Sequence, residues 1–202
     1  MLAAVIFIAP FIAIPIIMNM DLVYEWTHDH IVQHDPFLKN KVPYLNEPFF
    51  LMRSAGVFLF LWLFYMLIIG RSRKQDVTKD PGLTKGLIRR SGLFMPIFAI
   101  GITLFAIDWM MTLEPHWFST IYGVYYFAGS LLSALALSAF ISMTLSEAGY
   151  LHKSITKDHY YSYGALMFAF TNFWAYIGFS QLILIWYANI PEETFWYMDR
   201  WQ

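Results

Sequence analysis

The chain has 202 residues, of which 58% are hydrophobic, 20% are aromatic and 13% are charged, and its formal net charge is −1. A soluble domain carries about 25% charged residues, so this composition argues against an ordinary soluble domain and indicates a membrane protein. Cysteine is absent, which excludes disulfides, thiolate metal sites and iron–sulfur ligation within these residues, and the distribution of basic residues gives no sign of nucleic-acid binding.

Five apolar runs are long enough to cross about 30 Å of hydrocarbon as helices. They are residues 2–19, 48–70, 93–113, 119–146 and 163–188. Pro10 and Pro15 predict a kink in the first run, which membrane helices tolerate better than soluble ones. We therefore expect an all-α polytopic membrane protein in which residues 1–202 form a single transmembrane helical domain.

The basic residues predict the orientation of these spans. Residues 71–90 (RSRKQDVTKDPGLTKGLIRR) hold seven of the thirteen Lys and Arg residues, so the positive-inside rule places this connection in the cytoplasm. Alternation of the spans then places the turn 114–118 on the outer side of the membrane. Five tryptophans fall near that same outer boundary, as an aromatic belt would: Trp26, Trp109, Trp117, Trp186 and Trp196.

Asp108 occupies a costly position for a charged residue. It lies five residues before the outer end of the third span, about 8 Å deep at 1.5 Å per residue. A carboxylate at this depth needs a partner or a wet cavity. Two interpretations stay open: proton transfer or quinol contact, and a structural ion pair with Arg53 near the outer end of the second span.

Pro115 ends the third span and makes Glu114-Pro115-His116 a tight turn. Beside Asp108, the side chains of Glu114 and His116 are candidates for the outer port of a proton path. The alternative is a solvated turn that anchors the hairpin at the membrane interface.

Three histidines crowd the predicted outer loop. His28, His30 and His34, together with Asp29 and Asp35, have the ligand types of a zinc or copper site, but a solvated surface is the more common outcome and we expect no metal. His30 and His34 share a face if the loop is helical. All six histidines lie in connections or at interfaces, so we expect no haem and no other redox cofactor bound by this chain.

Polar side chains recur at four-residue spacing in the last span, at Asn172, Tyr176 and Ser180. Such a stripe can support a water wire, which makes these residues candidates for a proton pathway. Small and polar faces also let membrane helices pack closely, and we favour that interpretation.

Tyr122 and Tyr126 follow the outer turn and are candidate contacts for a quinone head group. Interfacial anchoring, which aromatic side chains provide in many membrane proteins, is the alternative.

Four segments resemble one known family. They are THDHIVQHDPFL (27–38), KVPYLNEPFF (41–50), FAIDWMMTLEPHWFSTIYGVYYFAGS (105–130) and NFWAYIGFSQLILIWYANIPEETFWY (172–197). Together they are similar to the ActF membrane subunits of bacterial alternative complex III, a quinol:cytochrome c or electron-acceptor oxidoreductase. These subunits belong to the NrfD/PsrC-like proteins, and the resemblance covers nearly the whole chain.

The resemblance implies a helix bundle in the bacterial inner membrane with no prosthetic group of its own. Its neighbours would be an ActC-like membrane subunit, an iron–sulfur subunit and multihaem cytochrome subunits, which carry the clusters and haems, together with lipid. Quinol or menaquinol would be the substrate of the complex. On this basis Asp108, Glu114 and His116 are the first candidates for proton transfer.

The sequence departs from this family in one respect. Family members have roughly ten spans, whereas about five are visible here, and both ends fall inside what would continue as helix. We therefore expect the sequence to be a piece of a longer protein, and part of a larger NrfD/PsrC-like bundle.

Three functions remain open. The first is a cofactor-free membrane subunit that supports quinol oxidation and proton translocation. The second is a purely structural anchor of the respiratory complex, or a quinone-binding subunit of another NrfD-like oxidoreductase. The third is a secondary transporter, which would show inverted repeats and broken helices at the midplane and for which Pro10 and Pro15 are the only indication.

Overall fold

The computed structural model describes residues 5–151 and 155–201, and every regular element within these ranges is helical. The chain divides into two compact units, Met1–His116 and Trp117–Gln202, here called the N-terminal and C-terminal units. The single domain expected from the sequence stays a prediction.

The N-terminal unit contains six α-helices: α1 (Val5–Met18), α2 (Met20–Val23), α3 (Asp29–His34), α4 (Pro36–Lys41), α5 (Glu47–Thr78) and α6 (Gly82–Trp109). Two single 3-10 turns, Glu25–Thr27 and Met111–Leu113, complete it. The C-terminal unit contains α7 (Tyr122–Glu147), α8 (Lys157–Ala188) and α9 (Pro191–Trp201).

Four helical segments are long and apolar enough to cross a membrane: Glu47–Thr78, Gly82–Leu113, Tyr122–Glu147 and Lys157–Ala188. They correspond to the second to fifth predicted spans, so the chain is an all-helical, multi-pass membrane protein over the part described. The first predicted span differs. Its described part, α1, has 14 residues, and a crossing takes about 20. Residues 2–4 of that prediction lie outside the described residues, and the fifth crossing stays a prediction.

The helices α5 and α6 extend well beyond the apolar runs that predicted them. The basic connection, residues 71–90, is mostly helical, because its Arg, Lys and Gln residues favour helix once the chain has left the hydrocarbon. The helix α5 ends where Lys79 adopts a left-handed conformation (φ 54°), and its amide donates to the carbonyl of Gln75. Gln75 Nε2 also donates to Thr84 Oγ1 at 2.6 Å. The two helices are thus joined by a tight, tied turn.

Aromatic stacking holds α5 and α6 together as an antiparallel hairpin. The ring of Phe94 stacks on Phe60 and Phe64, with centroids 4.3 and 3.6 Å apart. Near the other end, Trp109 Nε1 donates to Ser54 Oγ at 3.1 Å. This pairing brings the first two turns of α5 beside the last turn of α6.

A buried aromatic cluster covers that end of the hairpin. Its members are Ala13, Met20, Tyr24, Trp26, Leu45, Phe50 and Trp109. Asn46 caps α5 by accepting a hydrogen bond from the amide of Phe49 at 3.0 Å, and Pro48 suits the first turn, where no amide donor is needed. The loop before α5 is therefore fixed against the end of α6.

The C-terminal unit is built on a second antiparallel hairpin, α7 with α8. A Cβ atom on Gly129 would lie 3.1 Å from Trp174 Nε1, and one on Gly178 would lie 3.2 Å from the ring of Tyr125. Each helix thus receives an aromatic ring of its neighbour at a glycine. The rings of Tyr125 and Trp174 stack on each other, 5.4 Å between centroids. Small residues allow this close approach of membrane helices.

Candidate functional site

Asp108 lies one residue before the end of α6 and is 2% exposed. Its carboxylate faces the second turn of α5, where Arg53 Nε donates to Oδ2 at 2.9 Å and Arg53 Nη2 donates to Oδ1 at 3.1 Å. Two parallel bonds between guanidinium and carboxylate give strength and a fixed geometry. The ion pair with Arg53, one of the two interpretations left open by the sequence, is confirmed.

Tyr44 completes the site from the loop before α5. Its hydroxyl donates to Asp108 Oδ1 at 2.8 Å, and its carbonyl accepts a hydrogen bond from Arg53 Nη1 at 3.0 Å. The guanidinium carbon of Arg53 also lies 3.9 Å from the ring centroid of Tyr44 and 4.3 Å from that of Phe49, so two aromatic faces sandwich the cation. We call Tyr44, Phe49, Arg53 and Asp108 the Asp108 cluster.

Burial raises the pKa values of two tyrosines at this cluster. Burial, followed by the hydrogen bond and negative charge of Asp108, raises the pKa of Tyr44 to about 12. Burial and then the charge of Asp108 raise the pKa of Tyr24, whose hydroxyl donates to the carbonyl of Trp109 at 3.2 Å, to about 12. Both hydroxyls therefore remain protonated donors throughout the neutral range.

The contacts of Asp108 indicate what the Asp108 cluster does. The carboxylate accepts three hydrogen bonds, two from Arg53 and one from Tyr44, and the side chains of Arg53 and Asp108 are only 12% and 3% exposed. Both carboxylate oxygens are engaged by these donors, and the group is almost completely shielded from water. The arrangement is that of a clamp between the two helices.

A second polar group, here called the His116 cluster, lies in the same unit. Asp35 accepts hydrogen bonds through Oδ1 from the amides of Phe37 and Leu38, at 2.8 and 3.4 Å, and so caps α4. Its other oxygen, Oδ2, is hydrogen-bonded to Nε2 of His116. The bond to His116, ahead of the bonds to the two amides, holds the pKa of Asp35 below its ordinary value.

Phe37 and Lys41 tie α4 to the turn after α6. The imidazole of His116 stacks on the ring of Phe37, 5.6 Å between centroids. Lys41 Nζ lies 4.1 Å from the same ring centroid and donates to the carbonyl of Pro115 at 2.7 Å. Burial lowers the pKa of Lys41. The predicted tight turn at Glu114-Pro115-His116 is thus fastened by two bonds from a distant part of the chain.

The structure divides the three residues that the sequence grouped for proton transfer. Among the described residues, no hydrogen bond joins Asp108 to Glu114 or His116. Glu114 is exposed, and His116 pairs with Asp35, 81 residues away. The residues of the two clusters that the sequence did not single out are Tyr44, Asp35 as a partner for His116, and Lys41. No periodicity marks any of them, because they lie in loops and in a helix of six residues.

The remaining candidates lie in the C-terminal unit or in α3. Asn172 is exposed on α8 and donates from Nδ2 to the carbonyl of Phe168 at 2.8 Å, while Tyr176 is exposed and Ser180 half-buried. Tyr122 packs edge-on against Trp117, 5.7 Å between centroids, and Tyr126 is half-buried. Their roles as proton-pathway residues and quinone contacts stay predictions.

Part of the histidine-rich loop is helical, which was the condition under which His30 and His34 would share a face. His34 Nδ1 is hydrogen-bonded to the carbonyl of His30 at 2.7 Å, within α3, and the rings of His28 and His30 lie 5.7 Å apart. Within residues 5–151 and 155–201, no three His, Asp or Glu side chains are grouped so that they could hold a metal ion.

Comparison with models of protein families gives no match, and comparison with curated proteins gives no significant match. Neither comparison bears on the resemblance to the ActF subunits.

Proposed function

We propose that the chain is an integral membrane subunit of a quinol:electron-acceptor oxidoreductase of the alternative complex III type. It supports quinol oxidation without a redox cofactor of its own, as part of an NrfD/PsrC-like bundle with a fifth crossing near α1. Haems and iron–sulfur clusters reside on partner subunits, beside an ActC-like membrane subunit. The complex lies in the bacterial plasma membrane, with residues 71–90 on the cytoplasmic side and the turn 114–118 on the periplasmic side.

One observation supports this proposal above the others. Three of the ActF-like segments, 27–38, 41–50 and the part of 105–130 up to His116, come together at the same end of the α5–α6 hairpin. Asp35 contacts His116, Lys41 contacts Pro115, and Tyr44 contacts Asp108. Segments more than 60 residues apart thus build a single rigid cap, a suitable surface for an electron-carrying subunit.

The proposed role of Asp108 follows from its contacts. Asp108 clamps the cap to α5 and α6, while Glu114 is exposed and His116 is partly exposed, with 42% of its side chain accessible. A proton released at this surface therefore meets water and the side chains of Glu114 and His116 before it meets the buried Asp108. Proton translocation, if this subunit contributes to it, uses the exposed groups first.

The test of the proposal is purification of the tagged full-length protein from its native membranes in mild detergent. We expect haem absorbance, the electron paramagnetic resonance signal of iron–sulfur clusters, and quinol:acceptor oxidoreductase activity to follow the tag. A preparation from active membranes that carries the tagged chain without haem, clusters or quinol oxidation would contradict the proposal.

A second candidate function, a purely structural anchor, is favoured by the buried ion pair between Asp108 and Arg53. Glu114→Gln in the assembled complex separates the two, because Glu114 is one of the exposed groups assigned to proton exchange, with Glu25→Gln, the same change at another exposed side chain, as the control. Unchanged quinol turnover and unchanged proton release per quinol would support the anchor. Lost turnover in a complex that still assembles would support a direct part in the reaction.

A further inference from the structure

A small cavity of about 140 Å³ lies between the last turns of α8 and the helix α9. Its walls are mostly apolar and are formed by Leu182, Ile185, Trp186, Tyr197, Met198 and Trp201. Asn189 and Thr194 add an amide and a hydroxyl to the lining. None of these residues belongs to the Asp108 or His116 clusters, so the cavity is separate from the site described above.

The local fold explains why the cavity exists. Asn189 ends α8 in a left-handed conformation (φ 48°), and Pro191 begins α9 two residues later. Trp196 fixes one side of α9 by stacking on Trp117, 4.8 Å between centroids. At about 100° per residue, Met198 lies on nearly the opposite side of α9 from Trp196. The face of α9 that carries Trp196 is therefore packed, and the face that carries Met198 borders a gap against α8.

The surroundings of the cavity indicate what enters it. The helix α8 is one of the four that can cross a membrane, and the cavity lies at its end. Three lining residues are strongly exposed: Trp186 at 67%, Met198 at 56% and Trp201 at 69%. Tryptophan and tyrosine concentrate where hydrocarbon meets the head groups, so the side chains around this opening are those of a lipid-facing interface.

The volume of the cavity limits which ligands it can hold. An apolar cavity of about 150 Å³ holds a benzene-sized group, whereas pockets for whole drug-sized ligands have about 300 to 1,000 Å³. The cavity can therefore take several methylene groups of a chain and leaves the rest of the molecule outside. A flexible hydrocarbon chain that continues into the surrounding bilayer meets this requirement.

We propose that the cavity between α8 and α9 is a lipid site that holds a segment of one phospholipid acyl chain. The amide of Asn189 and the hydroxyl of Thr194 meet the polar part of the lipid or its water. The helix α9, with Glu193 and Asp199 among its aromatic residues, then lies at the membrane interface as amphipathic helices do. Occupation of the cavity would join α9 to the bilayer.

Photo-crosslinking tests this site. The full protein, in its native assembly, is placed in bilayers of phosphatidylethanolamine and phosphatidylglycerol that contain a trace of phosphatidylethanolamine with a diazirine on its acyl chain. After irradiation, mass spectrometry maps the adducts. We expect adducts at the cavity lining, above the level found on exposed lipid-facing residues such as Leu59, which is 63% exposed.

Matched variants separate the cavity from the general surface. Leu182→Phe fills the cavity and should reduce adducts at the lining several-fold. Leu184→Phe makes the same change two residues away on an exposed position, outside the lining, and should leave the adducts unchanged. Leu182→Ala enlarges the cavity and should retain the adducts, which distinguishes filling from a distorted helix end.

Three outcomes would overturn the proposal. The first is equal labelling of the lining and of Leu59. The second is equal loss in Leu182→Phe and Leu182→Ala. The third is loss of the adducts when a short-chain quinone is added, which would assign the cavity to a ring ligand.

Discussion

The two helical hairpins of this protein are held together by different means. The α5–α6 hairpin is closed at one end by a buried ion pair with three hydrogen bonds to Asp108. The α7–α8 hairpin is closed by shape, with aromatic rings of one helix seated on glycines of the other. Apolar side chains alone gain little by pairing in hydrocarbon, because lipid tails are equally apolar. Each hairpin therefore needs specific contacts between its two helices, an ion pair in one case and ring-to-glycine packing in the other.

The two devices differ in what breaks them. A clamp of charges depends on individual atoms, because removal of one partner leaves the other buried and unpaired. A fit of rings into glycines depends on volume and is indifferent to charge. A variant that changes charge at constant size should therefore destabilise the α5–α6 hairpin. A variant that changes size at constant charge should destabilise the α7–α8 hairpin.

The largest effect is expected for Asp108→Asn. This change keeps the size of the side chain but leaves the guanidinium of Arg53, only 12% exposed, without its counter-charge. Loss of one partner of a buried pair costs about 3 to 5 kcal/mol. The measurement is the free energy of unfolding of the N-terminal unit in detergent, from denaturant titration.

A double-mutant cycle provides the control for this prediction. Arg53→Gln combined with Asp108→Asn should destabilise the protein by less than the sum of the single variants, because no buried charge remains. Additive effects of the two changes would show that the bidentate pair does not couple α5 to α6.

Tyr44→Phe should have the next largest effect. It removes one hydrogen bond to a charged group, worth about 1.5 kcal/mol at the lower end of the usual range, since Tyr44 is partly exposed. Because the pKa of Tyr44 in the folded protein is raised from 10.0 to about 12, the wild type should lose stability as the pH rises from 10 to 12.

The pH profile of thermal unfolding checks this prediction. The alkaline loss should be smaller in Tyr44→Phe, and Tyr161→Phe, at an exposed tyrosine, serves as the control. An unaltered alkaline slope in Tyr44→Phe would show that Tyr44 does not titrate with folding.

Gly129→Ala should destabilise the other hairpin, by about 1 kcal/mol, as overpacking does. The new Cβ would lie 3.1 Å from Trp174 Nε1, and the ring of Trp174 cannot retreat freely because it stacks on Tyr125. Gly164→Ala is the matched control, since a Cβ there meets nothing within 4 Å. That change should stabilise the helix slightly through better helix propensity. Thermal unfolding in detergent should therefore rank the control above the wild type, and the opposite order would contradict the packing model.

The smallest effect concerns the pair of Asp35 and His116. The pKa of Asp35 is below its ordinary value of 3.8 in the folded protein, so the contribution of this carboxylate is present above pH 3.8 and is lost as the pH falls further. Because the side chains of His116 and Asp35 are both partly exposed, we expect a contribution below about 1 kcal/mol. Asp35→Asn should flatten the acid limb of the stability profile, with Asp21→Asn as the control. An acid limb that is equally steep in Asp35→Asn would assign it to other carboxylates.

The four long helices were predictable from the sequence, because about 20 apolar residues in a row have few alternatives to a membrane helix. Their ends were less so. The helix α6 begins at Gly82, 11 residues before the apolar run at Leu93, since hydropathy does not report where polar residues continue a helix.

The candidate site was predictable only where membrane physics constrained it. Asp108 was costly in its position, and Arg53 was a cation at matching depth, so their pairing could be anticipated. Tyr44 was not identified, and Asp35 was considered only as a metal ligand, because both lie in irregular segments near the boundary, where water imposes no such cost. His116 was assigned to its neighbours in sequence, whereas tertiary folding placed it against Asp35.

The length of α5 has a consequence for where its basic end can act. A helix of 32 residues measures about 48 Å, against about 30 Å for the hydrocarbon core of a bilayer. The polar stretch of α5 from Arg71 to Thr78, just before the turn at Lys79, measures about 12 Å and makes up most of the surplus of about 18 Å. The cations near this turn therefore stand clear of the head groups, at a height where salt in solution screens them and a soluble protein can reach them.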